Sequence, residues 1–177
     1  MSNLLIDSLI ITSNEDAILI NSWISPDKKA EFQLLYRATR DGDTVNDFHN
    51  KCDNKSPILV LGKTPQNYIF GGFTKLNLKY TKDEYLSDSE AFVFSINQKK
   101  KFISNDKNNS IYSLPNYCVI FGNGSNSLQI EDNILKNKHW SNPNGSYGSN
   151  LNLTENKYFS IIEFEAFHVV AFDNIDK

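Results

Sequence analysis

Residues 158–172 constrain the fold of this chain more than any other part of the sequence. Apolar side chains alternate onto both faces of the segment, with Phe159, Ile161, Phe167 and Val169 on one face and Ile162, Phe164, Ala166 and Val170 on the other. A period of two is typical of a β-strand, and a strand that is apolar on both faces needs cover on both. We therefore expect one long strand, 158–172, in the middle of a sheet.

The rest of the chain predicts many strands and few helices. We expect a helix over 13–24 capped by Ser13, and a short helix that begins after Asp43 or Thr44. Alternating or continuous apolar runs predict further strands at 32–38, 57–63, 68–73, 91–96, 102–103, 111–112, 117–121 and 127–131. This pattern predicts an α+β, mainly β fold, a two-sheet antiparallel β-sandwich with flanking short helices.

Charge and hydropathy exclude several classes of partner. Lys and Arg total 18 against 21 Asp and Glu, which gives a formal charge of −3, and no basic run is longer than 99–101. Nucleic acid is therefore not expected as a partner, because binding to phosphates needs clustered cationic side chains. No apolar run reaches the roughly 20 residues of a membrane helix, and the N-terminus lacks the features of a signal peptide. We expect a soluble, cytoplasmic protein without membrane insertion.

Several ordered blocks of the sequence resemble the TLDc domain family. The blocks are FQLLYRATRDG at 32–42, DFHNKCDNK at 47–55, FGGF at 70–73, EAFVFS at 90–95, FGNG at 121–124 and EFEAF at 163–167. The resemblance places a TLDc domain at 13–172, after a lead-in at 1–12 and before a tail at 173–177. It also implies a β-sandwich. Since few residues precede the first helix, the chain is expected to be the bare domain or a fragment of a longer protein.

The resemblance also implies how such a chain works. Members of the family include oxidation-resistance proteins and proteins that regulate the vacuolar proton-pumping ATPase, and the family has no generally accepted catalytic site. We therefore expect a non-catalytic module that binds a protein partner, at most peripherally on organelles, with no cofactor and no small-molecule substrate. A scaffold subunit of a larger assembly, such as a cytoskeletal complex, and an enzyme that uses paired carboxylates are the alternatives.

Glu163 and Glu165 are the candidate residues for those carboxylates. They lie two apart on the last predicted strand and share a face with apolar side chains, so each needs a cation or hydrogen-bond donors if it is buried. Paired carboxylates are also found in hydrolases. We favour a structural role, with Arg37 or Arg40 as the cation. The candidate binding residues are Glu163, Glu165, Arg37, Asp41, Gly42 and His49.

The remaining motifs have weaker functional interpretations. His49 and Cys52 are three residues apart, which suits a redox-active thiolate or half a zinc site completed by Cys118 and His139. The zinc spacing is wrong, so no metal is expected, and Asp41-Gly42-Asp43 does not continue as a calcium loop. The glycines of the FGGF and FGNG blocks suit a strand bulge or the close approach of a partner's backbone. The acidic loop at 80–90 is expected to be solvated surface or to dock a basic patch.

Overall fold

Two antiparallel six-stranded sheets form a β-sandwich in a computed structural model, which describes residues 5, 7–79, 82–123, 127–148 and 150–171. The helices are α1 (Asn14–Ile24), α2 (Ala38–Asp41) and α3 (Val45–Cys52), and a 3₁₀ turn spans Lys107–Asn109. The strands are β1 (Ala30–Arg37), β2 (Ile58–Lys63), β3 (Ile69–Thr74), β4 (Glu84–Leu86), β5 (Phe92–Ser95), β6 (Lys100–Ile103), β7 (Ile111–Ser113), β8 (Tyr117–Phe121), β9 (Leu128–Glu131), β10 (His139–Ser141), β11 (Tyr158–Phe159) and β12 (Glu163–Ala171).

The strand order confirms the expected architecture. The first sheet runs β1-β12-β2-β3-β5-β6, and the second runs β11-β10-β9-β8-β7-β4. Every strand pair among the described residues is antiparallel, and β2 and β3 form a hairpin. The predicted two-sheet sandwich with short helices is therefore confirmed.

Strand β12 is central and covered on both faces, as its sequence predicts. Phe164 and Ala166 belong to the core between the two sheets, while Phe167 and Val169 belong to a second core that includes residues of α1. Fully burying a phenylalanine or valine side chain stabilises a fold by roughly 1.5–3 kcal/mol. The two alternating sets of side chains thus join the layers of the molecule.

The predicted extent of that last strand, 158–172, is wrong at its start. Tyr158 and Phe159 form β11 in the second sheet, where they pair with β10, and β12 begins in the first sheet only at Glu163. The chain crosses from one sheet to the other in between, which periodicity does not reveal because apolar alternation continues through the crossing. Phe172 lies outside the described residues.

The two longer helices begin at side-chain caps. Ser13 accepts a hydrogen bond from the amide of Asp16 at 3.4 Å. Thr44 and Asp47 form a reciprocal capping box at the start of α3, so Thr44 and not Asp43 is the N-cap. The four-residue helix α2 was not predicted, and it turns the chain directly after β1.

Glycines at the centre of the first sheet make room for aromatic rings. A Cβ added to Gly72 would lie 2.4 Å from the ring of Phe121, and one added to Gly71 would lie 2.2 Å from the Val60 carbonyl oxygen. The register of β2 with β3 runs through both positions without a shift, so the expected bulge is absent from this pair. Gly124 of the second glycine motif lies outside the described residues.

Strand β4 lies in the segment predicted as an acidic loop, and strand β10 was not predicted. Each is three residues long, too short to show a period. Within the described residues, none of the helices has the length and apolarity required to cross a membrane.

Candidate functional site

Glu165 is fully buried at the centre of a hydrogen-bonded cluster. Its Oε1 accepts from Arg37 Nε at 2.8 Å and from the amide of Leu9 at 2.9 Å, and its Oε2 accepts from Ser8 Oγ at 2.6 Å. Ser8 Oγ in turn accepts from the amides of Ile10 and Ile11. The carboxylate therefore anchors the segment that leads into α1 to the central strand, in the way that a buried charge requires.

Glu163 lies two residues earlier on the same strand and binds α2. Its side chain accepts from the amide of Thr39 at 3.2 Å, from the amide of Phe164 at 3.1 Å and from the Thr39 hydroxyl. Glu163 is 8% exposed. Both predicted carboxylates thus have the backbone and hydroxyl donors that the structural interpretation requires.

The two arginines named as possible partners behave differently. Arg37 pairs with Glu165 and also donates to the carbonyl of Asp7, whereas Arg40 pairs with Asp41 at 2.7 Å and contacts neither glutamate. The prediction that Arg40 could be the cation for these carboxylates is therefore wrong. Asp41 also accepts from the amide of Arg37 at 2.9 Å. The hydrogen bond from Arg40 is the main cause that holds the pKa of Asp41 below its ordinary value.

Gly42 supplies backbone conformation beside this cluster. Its φ is +104°, which favours glycine, and a Cβ would lie 2.4 Å from Asp47 Oδ2. Its carbonyl accepts from the hydroxyl of the buried Tyr36 at 2.6 Å. Burial is the main cause that raises the pKa of Tyr36 far above its ordinary value, so the phenol stays protonated.

His49 lies apart from the carboxylate cluster, on α3. Its Nδ1 lies 2.7 Å from Asp53 Oδ1, and its Nε2 lies 2.9 Å from the carbonyl oxygen of Tyr117. Cys52 on the same helix is fully buried, and burial raises the pKa of its thiol well above the ordinary value. The hypothesis of an exposed, low-pKa thiolate at Cys52 is therefore wrong.

The other two residues of the rejected zinc site are also engaged in the core. Cys118 and His139 are fully buried. His139 Nε2 faces the Ile134 carbonyl oxygen at 2.7 Å, its Nδ1 accepts from the amide of Glu131, and burial lowers its pKa. Among the described residues, no group of three or more His, Cys, Asp or Glu side chains is arranged to hold a metal ion.

The structure brings together four of the six candidate residues. Arg37, Asp41, Glu163 and Glu165 meet where β1, α2 and β12 join, Gly42 ends α2, and His49 lies on α3. A solvent-open depression of about 290 Å³ lies at Thr44, Val45, Asn46, Pro115, Asn116 and Asp132. It contains none of the candidate carboxylates. The clustered carboxylates are thus placed for holding the fold, with their oxygens already accepting hydrogen bonds.

Comparison with known proteins gives the family. The model of the TLDc domain matches residues 5–170, which is nearly the whole chain. The chain belongs to the TLDc domain family. The carboxylate cluster lies within the matched residues and joins three elements of the TLDc fold.

Two curated relatives share part of this TLDc chain. MTOR-associated protein MEAK7 of Danio rerio is 28% identical over 67 residues, which are 38% of this chain and 15% of the relative. MTOR-associated protein MEAK7 of Gallus gallus is 28% identical over 79 residues, which are 45% of this chain and 17% of the relative. The chain thus covers less than a fifth of the length of either relative.

Sequence reasoning missed the donors that saturate the two glutamates. Ser8 and Thr39 supply hydroxyls and Leu9 an amide, and all three come from segments that show no periodic pattern. The sequence signal was that Glu163 and Glu165 were expected to be buried. Burial requires hydrogen-bond donors for a carboxylate but does not identify which residues supply them. Arg37 was one of the two arginines named as the possible cation, and it is the one that pairs with Glu165.

Proposed function

We propose that this TLDc chain is a non-catalytic protein-interaction domain whose partner is the vacuolar proton-pumping ATPase. The observation that carries the non-catalytic part is the saturation of Glu163 and Glu165 by donors of the chain itself. A general acid or base must reach a proton on its substrate, and Glu165 is 0% exposed. These carboxylates hold β1, α2 and the lead-in segment on β12.

Membership of the TLDc family supports the choice of a protein as partner. The relatives in zebrafish and chicken are named for association with MTOR, which is also a relation between proteins. The proton pump is the partner that the family resemblance implies, and binding to it places this chain on the cytoplasmic side of acidic organelles. A scaffold role in another assembly is the alternative of the same kind.

Affinity purification of the tagged full chain from its source cells tests the partner. We expect proton-pump subunits among the specifically recovered proteins, together with altered organelle pH when the gene is deleted. Recovery of another assembly, with unchanged organelle pH, would replace the pump by that assembly. A Glu163→Gln variant that folds and keeps both properties supports the non-catalytic role, while loss of both by a folded variant would favour the enzyme.

A role in oxidative-stress protection fits this chain only through such a partner. Cys52 and Cys118 are both free and both fully buried, so neither presents a thiol to an oxidant. Peroxide tolerance of cells that carry the folded Cys52→Ala, Cys118→Ala double variant measures this directly. We expect wild-type tolerance, and a loss of tolerance would assign the protection to the thiols themselves.

A further inference from the structure

Within the described residues the sandwich has four edge strands, and two of them are very short. β11 has two residues and β4 has three. An edge strand exposes unpaired backbone groups that can pair with another chain, and shortening it is a common protection. Neither of these two edges is long enough to pair with more than two or three residues of a partner strand.

The third edge, β6, is protected by charge and by the chain itself. Lys100 and Lys101 occupy half of the strand. Beyond its end, the amide of Asn105 donates to the carbonyl of Ser146 at 2.8 Å, and the Gln98 side chain at its start donates to the Asn152 carbonyl at 2.7 Å. Ser146 and Asn152 therefore bind the chain at the two ends of this edge.

The fourth edge, β1, has none of these protections over most of its length. It is eight residues long, and its register with β12 is regular from Ala30 to Leu34 before a shift. Between 30 and 35 it contains no proline and no lysine, and its one charged side chain is the exposed Glu31. Of the four sheet edges that the described chain forms, this is the longest, and between residues 30 and 35 it carries a single charge.

The hydrogen bonds show which backbone groups of β1 face outward. The amide of Ala30 donates at 2.9 Å to the side chain of Asn21, on the side away from β12. Backbone groups alternate in direction along a strand, so Phe32 and Leu34 also point their N–H and C=O groups away from β12. In the sheet that the structure describes, no strand lies beyond them.

We propose that β1 accepts an extended segment of a partner protein as an additional strand of the first sheet. This inference rests on the proposed function, that the chain binds a protein, and gives the surface for it. The side chains of Phe32 and Leu34 lie on the apolar face that continues into the second core, and Glu31 and Gln33 lie on the other. The fitting segment therefore alternates apolar residues with Lys or Arg, the latter opposite Glu31.

A synthetic peptide tests this edge without any cellular partner. The probe is an eight-residue peptide of alternating valine and lysine, compared with versions that carry glutamate for lysine or an N-methyl group on every backbone amide. With the full-length chain we expect the probe alone to slow backbone hydrogen exchange at Phe32 and Leu34. We expect Glu31→Lys to weaken binding about fivefold or more, because an attractive cross-strand charge pair becomes repulsive.

Glu84→Lys is the matched control variant. Glu84 is also an exposed glutamate on an edge strand, but on β4 of the second sheet. We expect it to bind the probe like the wild type, and circular dichroism checks that both variants are folded. Equal weakening by both variants would mean general charge attraction and would overturn the proposal.

Other outcomes also overturn it. If backbone hydrogen exchange on β1 does not change when the peptide is added, strand addition there is excluded. If this exchange is instead slowed by dimerisation that depends on protein concentration, the occupant is a second copy of the chain. Binding that appears only after residues 172–177 are removed identifies the chain's own C-terminus as the occupant. If the chain recovers the proton pump but does not bind the peptide, only this inference fails. If it binds the peptide but does not recover the pump, only the proposed partner is wrong.

Discussion

At the scale of single residues, the structure separates buried charges that hold the fold from exposed charges that do not. Glu165 and Arg37 form an ion pair with side chains that are 0% and 14% exposed, while Arg40 in its pair with Asp41 is 48% exposed. Removing one partner of a buried pair leaves the other charge desolvated and unpaired. Exposed pairs are screened by water and contribute little.

Glu165→Gln should lower the free energy of unfolding by about 3 kcal/mol, because Arg37 is left without its carboxylate. Urea denaturation followed by tryptophan fluorescence measures it. The control is Arg40→Gln, which should change the same quantity by less than about 1 kcal/mol. Equal effects of the two substitutions would contradict the assignment of Glu165 as the anchor.

Cys52 should be unreactive in the folded protein and should make it sensitive to alkali. Burial raises the pKa of this thiol above its ordinary value of 9.0, so the folded chain keeps the proton while the unfolded chain releases it above about that pH. The contribution of this thiol to the free energy of unfolding is therefore fully present below about pH 9 and is lost as the pH rises beyond it. Melting temperatures between pH 7 and pH 10.5 should show this decline, and it should be smaller in Cys52→Ala.

Reaction of the native protein with iodoacetamide checks the same thiol independently. We expect alkylation of Cys52 only after unfolding by urea. Fast alkylation of the folded chain, or a melting temperature that is independent of alkaline pH, would show that the thiol is accessible and its pKa ordinary.

At the scale of secondary-structure elements, the caps and the glycines set the positions of α3 and the central strands. Thr44 and Asp47 bond to each other's backbone amides, whereas Ser13 makes one longer contact at 3.4 Å. Gly72 lies against the ring of Phe121 across the space between the two sheets. These local choices fix how closely the elements approach one another.

Thr44→Ala should destabilise the protein by about 1 kcal/mol, because the first turn of α3 loses its cap. Ser13→Ala should cost less, since its single hydrogen bond is longer. Thermal unfolding of the two variants measures the difference. A larger loss from Ser13→Ala would contradict the importance of the capping box.

Gly72→Ala should destabilise by roughly 1–3 kcal/mol, because the added methyl group displaces the Phe121 ring. A smaller ring position should relieve the clash, so Phe121→Leu combined with Gly72→Ala should cost less than the sum of the single changes. Denaturation of the wild type, both single variants and the double variant gives that coupling. Additive losses would mean that the methyl group is accommodated elsewhere.

Elements with a clear period could be predicted from the sequence, and those without one could not. The first helix, the β2–β3 hairpin and the double-sided β12 all follow from alternation or caps. β4, β10 and α2 are too short to show a period. The crossing between β11 and β12 was missed because Ile161 and Ile162 continue the apolar pattern while the chain changes sheets.

At the scale of the whole molecule, three layers explain why the central strand carries both carboxylates. One core fills the space between the sheets, and a second lies between the first sheet and α1. Glu163 and Glu165 lie at the start of β12, where α2 and the segment before α1 attach to the sheet. The sequence predicts that these glutamates need partners, but only the packing of the layers brings Ser8 and Thr39 to them.

At this scale the proposed function rests on family membership and on the saturated cluster together. The TLDc match covers residues 5–170, so the fold of this chain is the unit that the family shares. Glu163 and Glu165 are committed to that fold, and the β1 edge is the surface that we propose for a partner. Binding to another protein is therefore the activity that we propose for this chain.

Direct binding of the purified full chain to purified vacuolar proton-pumping ATPase tests this claim most directly. Biolayer interferometry, with the pump immobilised and the chain titrated, gives the dissociation constant. We expect saturable binding that is weakened by Glu31→Lys and retained by Glu84→Lys. A chain that is folded by circular dichroism and shows no saturable binding up to about 100 μM, where only a weak interaction would still escape detection, would contradict it.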